Sequence, residues 1–440
     1  MISLVKRNNK IGIVIDAYNQ LFSHRETNIF IAFICLFLVY SLNIVPKDII
    51  LGLITVIVMI TPLKCSLLMY LFFTLWEDVT VYSFGITLSL ILQLIMFSKI
   101  LMYYLRSNKA VFYNFFDLTV CALGFLYGIM DYLIGTGGLS GVSIAIDIFI
   151  IIYAHSVYRD ESQSSKFWEA VFFTIMVSTI IAVIYGFFND TSADRWISGL
   201  GFVKQLYGTI GTARIGMFLC ASLIYPVFYL NKPLIKGILC ILLCIGVFMT
   251  FSLTSMICLM VFWSIVLLFK DRNNFRKNLK KFGLVVILIM TVVLLWGSIR
   301  EISIIKPIVI RIDVMIEGLK SGDMSVATSS RSYLADIYLN DFENYSLCGK
   351  LFGSFYTNRF RAIMGISGLD NYAHNSFIDI LLYIGILGII SLFAWIVMKV
   401  RFLKGREEFL PVVLLKLIFL LTGFSVSMLT NCYWFTWMIL

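Results

Sequence analysis

Charge is what this chain has least of. Of its 440 residues only 14% are Asp, Glu, Lys or Arg, whereas a soluble domain carries nearer a quarter. A water-solvated globule is therefore excluded as the main body of the protein. Hydrophobic residues make up 60% and mean hydropathy is +0.93, so lipid must solvate most of the chain. Alternating strands of about ten residues, the mark of a transmembrane β-barrel, do not occur. No internal repeat is visible, which speaks against a transporter built from two pseudo-symmetric halves. Nor does a small-residue cleavage site follow the first apolar run, which begins after a polar stretch at 1–28. That run reads as an uncleaved helix and not as a signal peptide.

What the chain does have is apolar runs of about twenty residues, enough to cross a ~30 Å hydrocarbon core. The expected spans are 29–45, 49–60, 63–76, 82–105, 112–134, 139–158, 167–188, 208–230, 234–251, 253–269, 282–298, 374–400 and 409–429. The fold class is therefore all-α: a polytopic helical membrane protein with about 12–14 transmembrane helices and one long external loop containing amphipathic helices. Four parts follow: an N-terminal cytoplasmic segment at 1–28, a transmembrane bundle at 29–298, the loop at 299–373 and C-terminal transmembrane helices at 374–440. Residues 433–440 are apolar but too short to span. They suit an interfacial segment anchored by Trp434 and Trp437, or half of a broken helix.

Basic residues orient the bundle. Lys6, Arg7, Lys10, Arg25, Lys64, Lys99, Arg106, Lys109, Arg159, Lys166, Lys232, Lys236 and the Lys/Arg cluster of 270–281 fall on one side, with Lys399, Arg401, Lys404 and Arg406. The opposite short loops hold Glu77, Asp78, Asp131, Asp190 and Asp194 against little more than Lys47, Arg195 and Lys204. The positive-inside rule then puts the N-terminus in the cytoplasm and the loop 299–373 outside. The net charge of +10 comes mostly from these cytoplasmic loops and requires no nucleic acid. Most of the nine cysteines lie inside spans and read as small apolar fillers; nothing in the sequence argues for a Cys348–Cys432 disulfide. Asp147, deep in one span, is an intramembrane acid without an assigned partner.

The external loop is far longer than an ordinary connection. Within it, 302–319 has apolar residues at helical spacing interleaved with Arg311, Asp313, Glu317 and Lys320, as an interfacial amphipathic helix would. Ser329-Ser330-Arg331 reads as a helix start, with Tyr333, Leu334, Ile337, Tyr338 and Phe342 recurring at three and four. Glycines at 349, 353, 365 and 368 break up the rest. Of the three histidines, His24 and His155 lie on the basic side, and His374 alone falls on the other.

Three loop motifs occur in order: Arg331-Ser-Tyr-Leu-Ala, Leu351-Phe-Gly, and Leu369-Asp-Asn leading into His374-Asn-Ser-Phe-Ile-Asp-Ile-Leu with Gly385 and Gly388. This order resembles the C-terminal signature of Wzy-type O-antigen and capsular polysaccharide polymerases; the related O-antigen ligases share its His–Asn part. Arg195, Gly201-Phe202 and Gly208 look like a second family element, with Lys204-Gln205-Leu206 in place of its His-Pro-Asn. Leu253-Thr-Ser-Met stands where ligases and some polymerases carry Ser-Arg.

The resemblance implies a metal-independent, cofactor-free glycosyltransferase with a GT-C-like fold in the bacterial cytoplasmic (inner) membrane. Its donor and acceptor would be undecaprenyl-pyrophosphate-linked glycans, with membrane lipids around it and a chain-length regulator and flippase as partners. The product would be O-antigen of lipopolysaccharide, or capsule. The external loops carry neither Asp-x-Asp nor a His cluster to hold Mg²⁺, and guanidinium groups can grip pyrophosphate in its place. Catalytic roles then fall to His374, as base or orienting donor, and to Arg331 and Arg195 at the phosphates. Arg195 also lies beside Asp194 and Asp190, so ion pairing competes with that role. Arg214, about a turn inside a span, either faces a cavity or snorkels. Arg359 and Arg361 bind substrate phosphate or lipid headgroups. Asn375 and Asp379, one turn apart, complete the substrate-binding set, Asp379 in support of its neighbours. Ligation of glycan to lipid A–core, and transport of the lipid-linked unit, are the alternative functions.

Overall fold

A computed structural model describes residues 24–76, 80–82, 86–107, 115–134, 140–159, 161–188, 193–197, 201–205, 212–250, 252–270, 279–280, 283, 286–287, 306–323, 331–355, 375–424, 436–437 and 440. The expected span 282–298 lies largely outside these residues. The helices are α1 (His24–Ser41), α2 (Lys47–Ile60), α3 (Leu63–Phe73), α4 (Leu88–Ser107), α5 (Phe115–Ile134), α6 (Ser140–Tyr158) and α7 (Glu161–Phe188). After them come α8 (Thr212–Ser222), α9 (Ile224–Phe228), α10 (Pro233–Met249) and α11 (Leu253–Phe269). In the loop lie α12 (Lys306–Ser321), α13 (Arg331–Glu343) and α14 (Leu347–Phe352), and α15 (Ser376–Phe402) and α16 (Phe409–Gly423) close the chain. One antiparallel hairpin, β1 (Ala193–Ile197) and β2 (Gly201–Gln205), departs from the all-helical expectation.

Among the described residues, four helices are long and apolar enough to cross a membrane: Leu88–Ser107, Phe115–Ile134, Ser164–Gly186 and Ser376–Phe402. Six shorter apolar helices accompany them, and the chain is a helical membrane protein. Two expected spans differ for local reasons. The span 208–230 is split between α8 and α9, because Pro226 has no N–H for the Ser222 carbonyl. The span 82–105 starts only at Leu88, because the Leu88 N–H bonds to the Thr80 carbonyl and the Tyr82 N–H to Ile86, closing a small β-bridge.

Helix α3 is the axis of the bundle. It is hydrophobic all round and buried from Cys65 to Phe73, and the 3₁₀ turn Thr74–Trp76 continues the burial. Phe37 of α1 touches Phe72, Phe73 and Trp76, while Tyr185 of α7 stacks on Tyr40. By contrast α2 buries Ile50, Ile54 and Val58 and leaves Ile49, Leu53, Val56 and Met59 exposed, the stripe of a helix at the lipid boundary.

Three charged side chains inside this bundle are well answered. Lys99 of α4 donates to the carbonyls of Val58 (2.8 Å) and Thr61 and to Ser66 Oγ (2.7 Å). It thereby satisfies acceptors at the α2 C-terminus, where a cation is also favoured by the helix dipole. Asp117 at the start of α5 pairs with Lys399 near the end of α15 at 2.7 Å and accepts from Trp395 Nε1 at 2.8 Å. Asp147 gains the partners its sequence position withheld: Tyr70 Oη, Gln93 Nε2 (3.0 Å) and Thr436 Oγ1 (2.9 Å) all donate to its carboxylate.

Thr436 brings in the C-terminal segment. Trp437 is fully buried, donates to Thr74 Oγ1 at 2.7 Å and stacks on Phe419, while His155 Nε2 donates to the Leu440 carbonyl at 3.3 Å. Trp437 is thus a core residue inside the bundle and no interfacial anchor; Trp434 lies outside the described residues. Four cysteines (65, 121, 220 and 258) are buried fillers, and Cys348 is exposed and free.

Candidate functional site

The loop helices α13 and α14 fold onto the first half of α15, at the bundle end opposite Lys399. Asn375 is the N-cap of α15, its Oδ1 accepting from the backbone N–H groups of Phe377 (3.0 Å) and Ile378 (3.3 Å). The sequence supplies that cap because an Asn immediately before an apolar run satisfies amides the helix cannot. Asp379, half-buried, follows one turn later, its N–H bonded to the Asn375 carbonyl at 3.2 Å. Tyr338 of α13 is fully buried against Ile378 and Leu382, and Leu334, Ala335, Phe342 and Tyr345 pack around them. The motif that opens at Arg331 is thereby held on the helix that opens at Asn375.

At Gly385 the helix breaks. Its φ of 69° and ψ of −174° are closed to side chains, and the break frees carbonyls that lipid cannot satisfy. The loop satisfies them: the Ser354 N–H donates to the Leu382 carbonyl at 2.8 Å and the Phe355 N–H to Tyr383 at 3.2 Å. Contact is so close that a Cβ at Gly353 (φ 79°) would lie 2.2 Å from the Tyr383 carbonyl oxygen. A Cβ at Gly385 would lie 2.5 Å from the Gly353 nitrogen and from the Leu351 oxygen. The Leu351-Phe-Gly motif and the helix that opens at Asn375 thus belong to one junction.

Tyr127 of α5 seals that junction. Its hydroxyl donates to the Phe352 carbonyl at 2.6 Å, and its ring stacks on Phe355 at 4.7 Å and meets Tyr383 edge-on at 5.6 Å. Beside it the buried Asp131 carboxylate accepts from the Gly141 N–H at 3.0 Å, at the N-terminus of α6 where negative charge is favoured. Beneath it Val120, Gly124, Ile148, Ile380, Ile384 and Leu392 surround an apolar cavity of about 80 Å³. Sequence reasoning missed Tyr127; one of three tyrosines in an apolar span, 225 residues before its partner, carries no signal.

Of the expected site residues, Asn375 and Asp379 lie at the start of α15, the helix that α13 and α14 pack against. Arg331 begins α13 and Arg195 sits on β1 opposite Val203, on a hairpin that α12 also touches; their side chains, with His374, Arg359 and Arg361, lie outside the described residues. Arg214 is buried in α8, which packs against α7, α10, α11 and α16. Among the described residues no three His, Cys, Asp or Glu side chains come together as a metal site would require. Neither a known family model nor a curated protein matches the chain. Its function must be argued from the junction itself.

Proposed function

We propose that the protein polymerises undecaprenyl-pyrophosphate-linked oligosaccharide repeat units at the outer face of the bacterial cytoplasmic membrane, its N-terminus inside the cell. The observation that carries this reading is the convergence of three separate motifs, those of Arg331, Leu351-Phe-Gly and Asn375, on the broken first half of α15. Non-helical backbone at membrane depth is tolerated where protein buries it, and it marks sites where polar substrates meet membrane helices. In the proposed reaction an acceptor sugar hydroxyl attacks the anomeric carbon of the donor. The bond from that carbon to the pyrophosphate oxygen breaks, and the hydroxyl proton passes to His374. Arg331 and Arg195 neutralise the departing pyrophosphate, aided by Arg214, Arg359 and Arg361; such preorganised charge is the largest catalytic term to expect.

Surface glycan from a deletion strain, resolved on a gel, tests the reading. Loss of the ladder with single-repeat material retained is the expected result; loss of all repeat units on core would point to a ligase or flippase. In purified enzyme, Arg331→Lys keeps the charge but not the planar two-pronged contact. We expect it to cost roughly 30- to 1000-fold in rate with polymerisation persisting in excess EDTA; activity that chelation abolishes and Mg²⁺ restores would remove the guanidinium account.

A further inference from the structure

At the opposite end of the bundle lies a second and larger cavity, of about 980 Å³, between the ends of α7, α9, α11 and α16. That volume lies in the range of small-molecule sites, and its lining is divided. Phe228, Ile265, Phe269, Phe409 and Pro411 are apolar; Lys270 and Arg406 are cationic; Glu169 and Glu407 are anionic. An anion without a cationic group would face the carboxylates, and a cation without an anionic group would face Lys270 and Arg406. A ligand carrying both charges and an apolar tail answers every part of the wall.

Two details place the charges. Lys236 Nζ and Lys270 Nζ each donate to the Val227 carbonyl oxygen, both at 2.7 Å. Two ammonium groups are therefore gathered on one oxygen, no farther apart than twice that distance, where their repulsion favours an anion beside them. Next to them the buried Tyr229 hydroxyl has no hydrogen-bond partner among the described residues. Its ring is fixed by stacking on Phe172 and Tyr225. Glu169 and Glu407 line the same cavity as Tyr229. A neutral phenol oxygen facing carboxylates can accept a hydrogen bond from an ammonium group.

We propose that this cavity holds the headgroup of an ethanolamine-type phospholipid, its phosphate on Lys270, with Lys236 adding positive charge behind it through the shared Val227 carbonyl, and its primary ammonium on Glu169, Glu407 and the Tyr229 hydroxyl. The acyl chains then leave past Ile265, Phe269 and Phe409 into the bilayer. A choline headgroup has no N–H to donate to these oxygens, and a glycerol headgroup has no positive charge, so the site discriminates by headgroup. The inference is independent of glycosyl transfer at the other end.

The test is native mass spectrometry of the full-length protein in neutral detergent, titrated with dioleoyl phosphatidylethanolamine, phosphatidylcholine or phosphatidylglycerol. Phosphatidylethanolamine is expected to bind on the order of tenfold more tightly than the other two. Lys236→Ala with Lys270→Ala should weaken all three lipids, whereas Glu169→Gln should abolish the preference for ethanolamine. Tyr229→Phe, which removes one oxygen and leaves the ring, should reduce that preference without disturbing the fold. Equal binding of the three headgroups by the wild-type protein would overturn the proposal, as would an ethanolamine preference that survives both Glu169→Gln and Tyr229→Phe. Displacement of the lipid by equimolar glycerophosphoethanolamine or inorganic phosphate would replace it with a soluble-ligand site.

Discussion

Two of the places that interrupt the apolar interior of this bundle satisfy their polar groups in opposite ways. Around Asp147, side chains answer a side chain: three donors from α3, α4 and the C-terminal segment converge on one carboxylate, and Ser143 Oγ in turn donates to Gln93 Oε1 at 2.6 Å. Around Gly385, backbone answers backbone, with loop amides on helix carbonyls and glycines at the points of contact. The first arrangement joins elements whose helical ladders are intact, so its contribution is cohesion. The second joins a broken helix to a loop that carries candidate site residues, so its contribution is position. If that distinction holds, perturbing the first should lower stability and leave activity per folded molecule alone, while perturbing the second should do the reverse.

The largest stability effect is expected from Asp147→Ala. It strands buried donors on Tyr70, Gln93 and Thr436, each worth about 1–3 kcal/mol when left unmade, of which hydroxyl rotation recovers part. A loss on the order of 3–5 kcal/mol should appear as a large fall in melting temperature, followed by fluorescence-detected size exclusion in detergent. Asp147→Asn keeps an acceptor oxygen and should lie between wild type and Ala. An unchanged melting temperature in the Ala variant would show that the Asp147 cluster is no anchor.

Gly353→Ala probes the other side of the comparison. A Cβ there meets the Tyr383 carbonyl oxygen at 2.2 Å, with φ at 79°, so the loop must lift from α15. If the loop serves the proposed polymerase reaction, displacing it by about 1 Å can cost about 10²-fold in rate, and glycan chain length should shorten accordingly while melting temperature falls far less than in Asp147→Ala. Limited proteolysis should cut the 343–355 segment faster in the variant. Normal polymer length together with a collapsed melting temperature would reduce the junction to scaffold.

The two regions were also unequally legible in the sequence. Asp147 stands out because an intramembrane acid is costly, but its partners lie 77, 54 and 289 residues away, and no local pattern names them. The helices themselves follow from apolar runs, and α12 and α13 from periodicity within the loop. Asn375 was readable as a helix start because capping is a local matter. The contact between Gly353 and Gly385 was not, since each glycine reads by itself as a breaker and only the fold shows that one fills the other's gap. Trp437 misled for a related reason: an aromatic near a chain end resembles an interfacial anchor until Thr74 and Phe419 are found around it.

The smallest and sharpest test is Tyr127→Phe. The change removes the hydroxyl that donates to the Phe352 carbonyl and retains the ring stacked on Phe355. One neutral hydrogen bond is worth about 0.5–1.5 kcal/mol net, so the melting temperature should move by a few degrees at most. If Tyr127 positions the loop, the loss should appear as a several-fold reduction in turnover, with substrate half-saturation nearly unchanged. Tyr127→Leu, which also removes the stack, should lose more and in the same direction. A purely structural tyrosine would instead lower melting temperature in both variants and leave turnover per folded molecule at the wild-type value. That outcome would move the distinction between cohesion and position away from this junction.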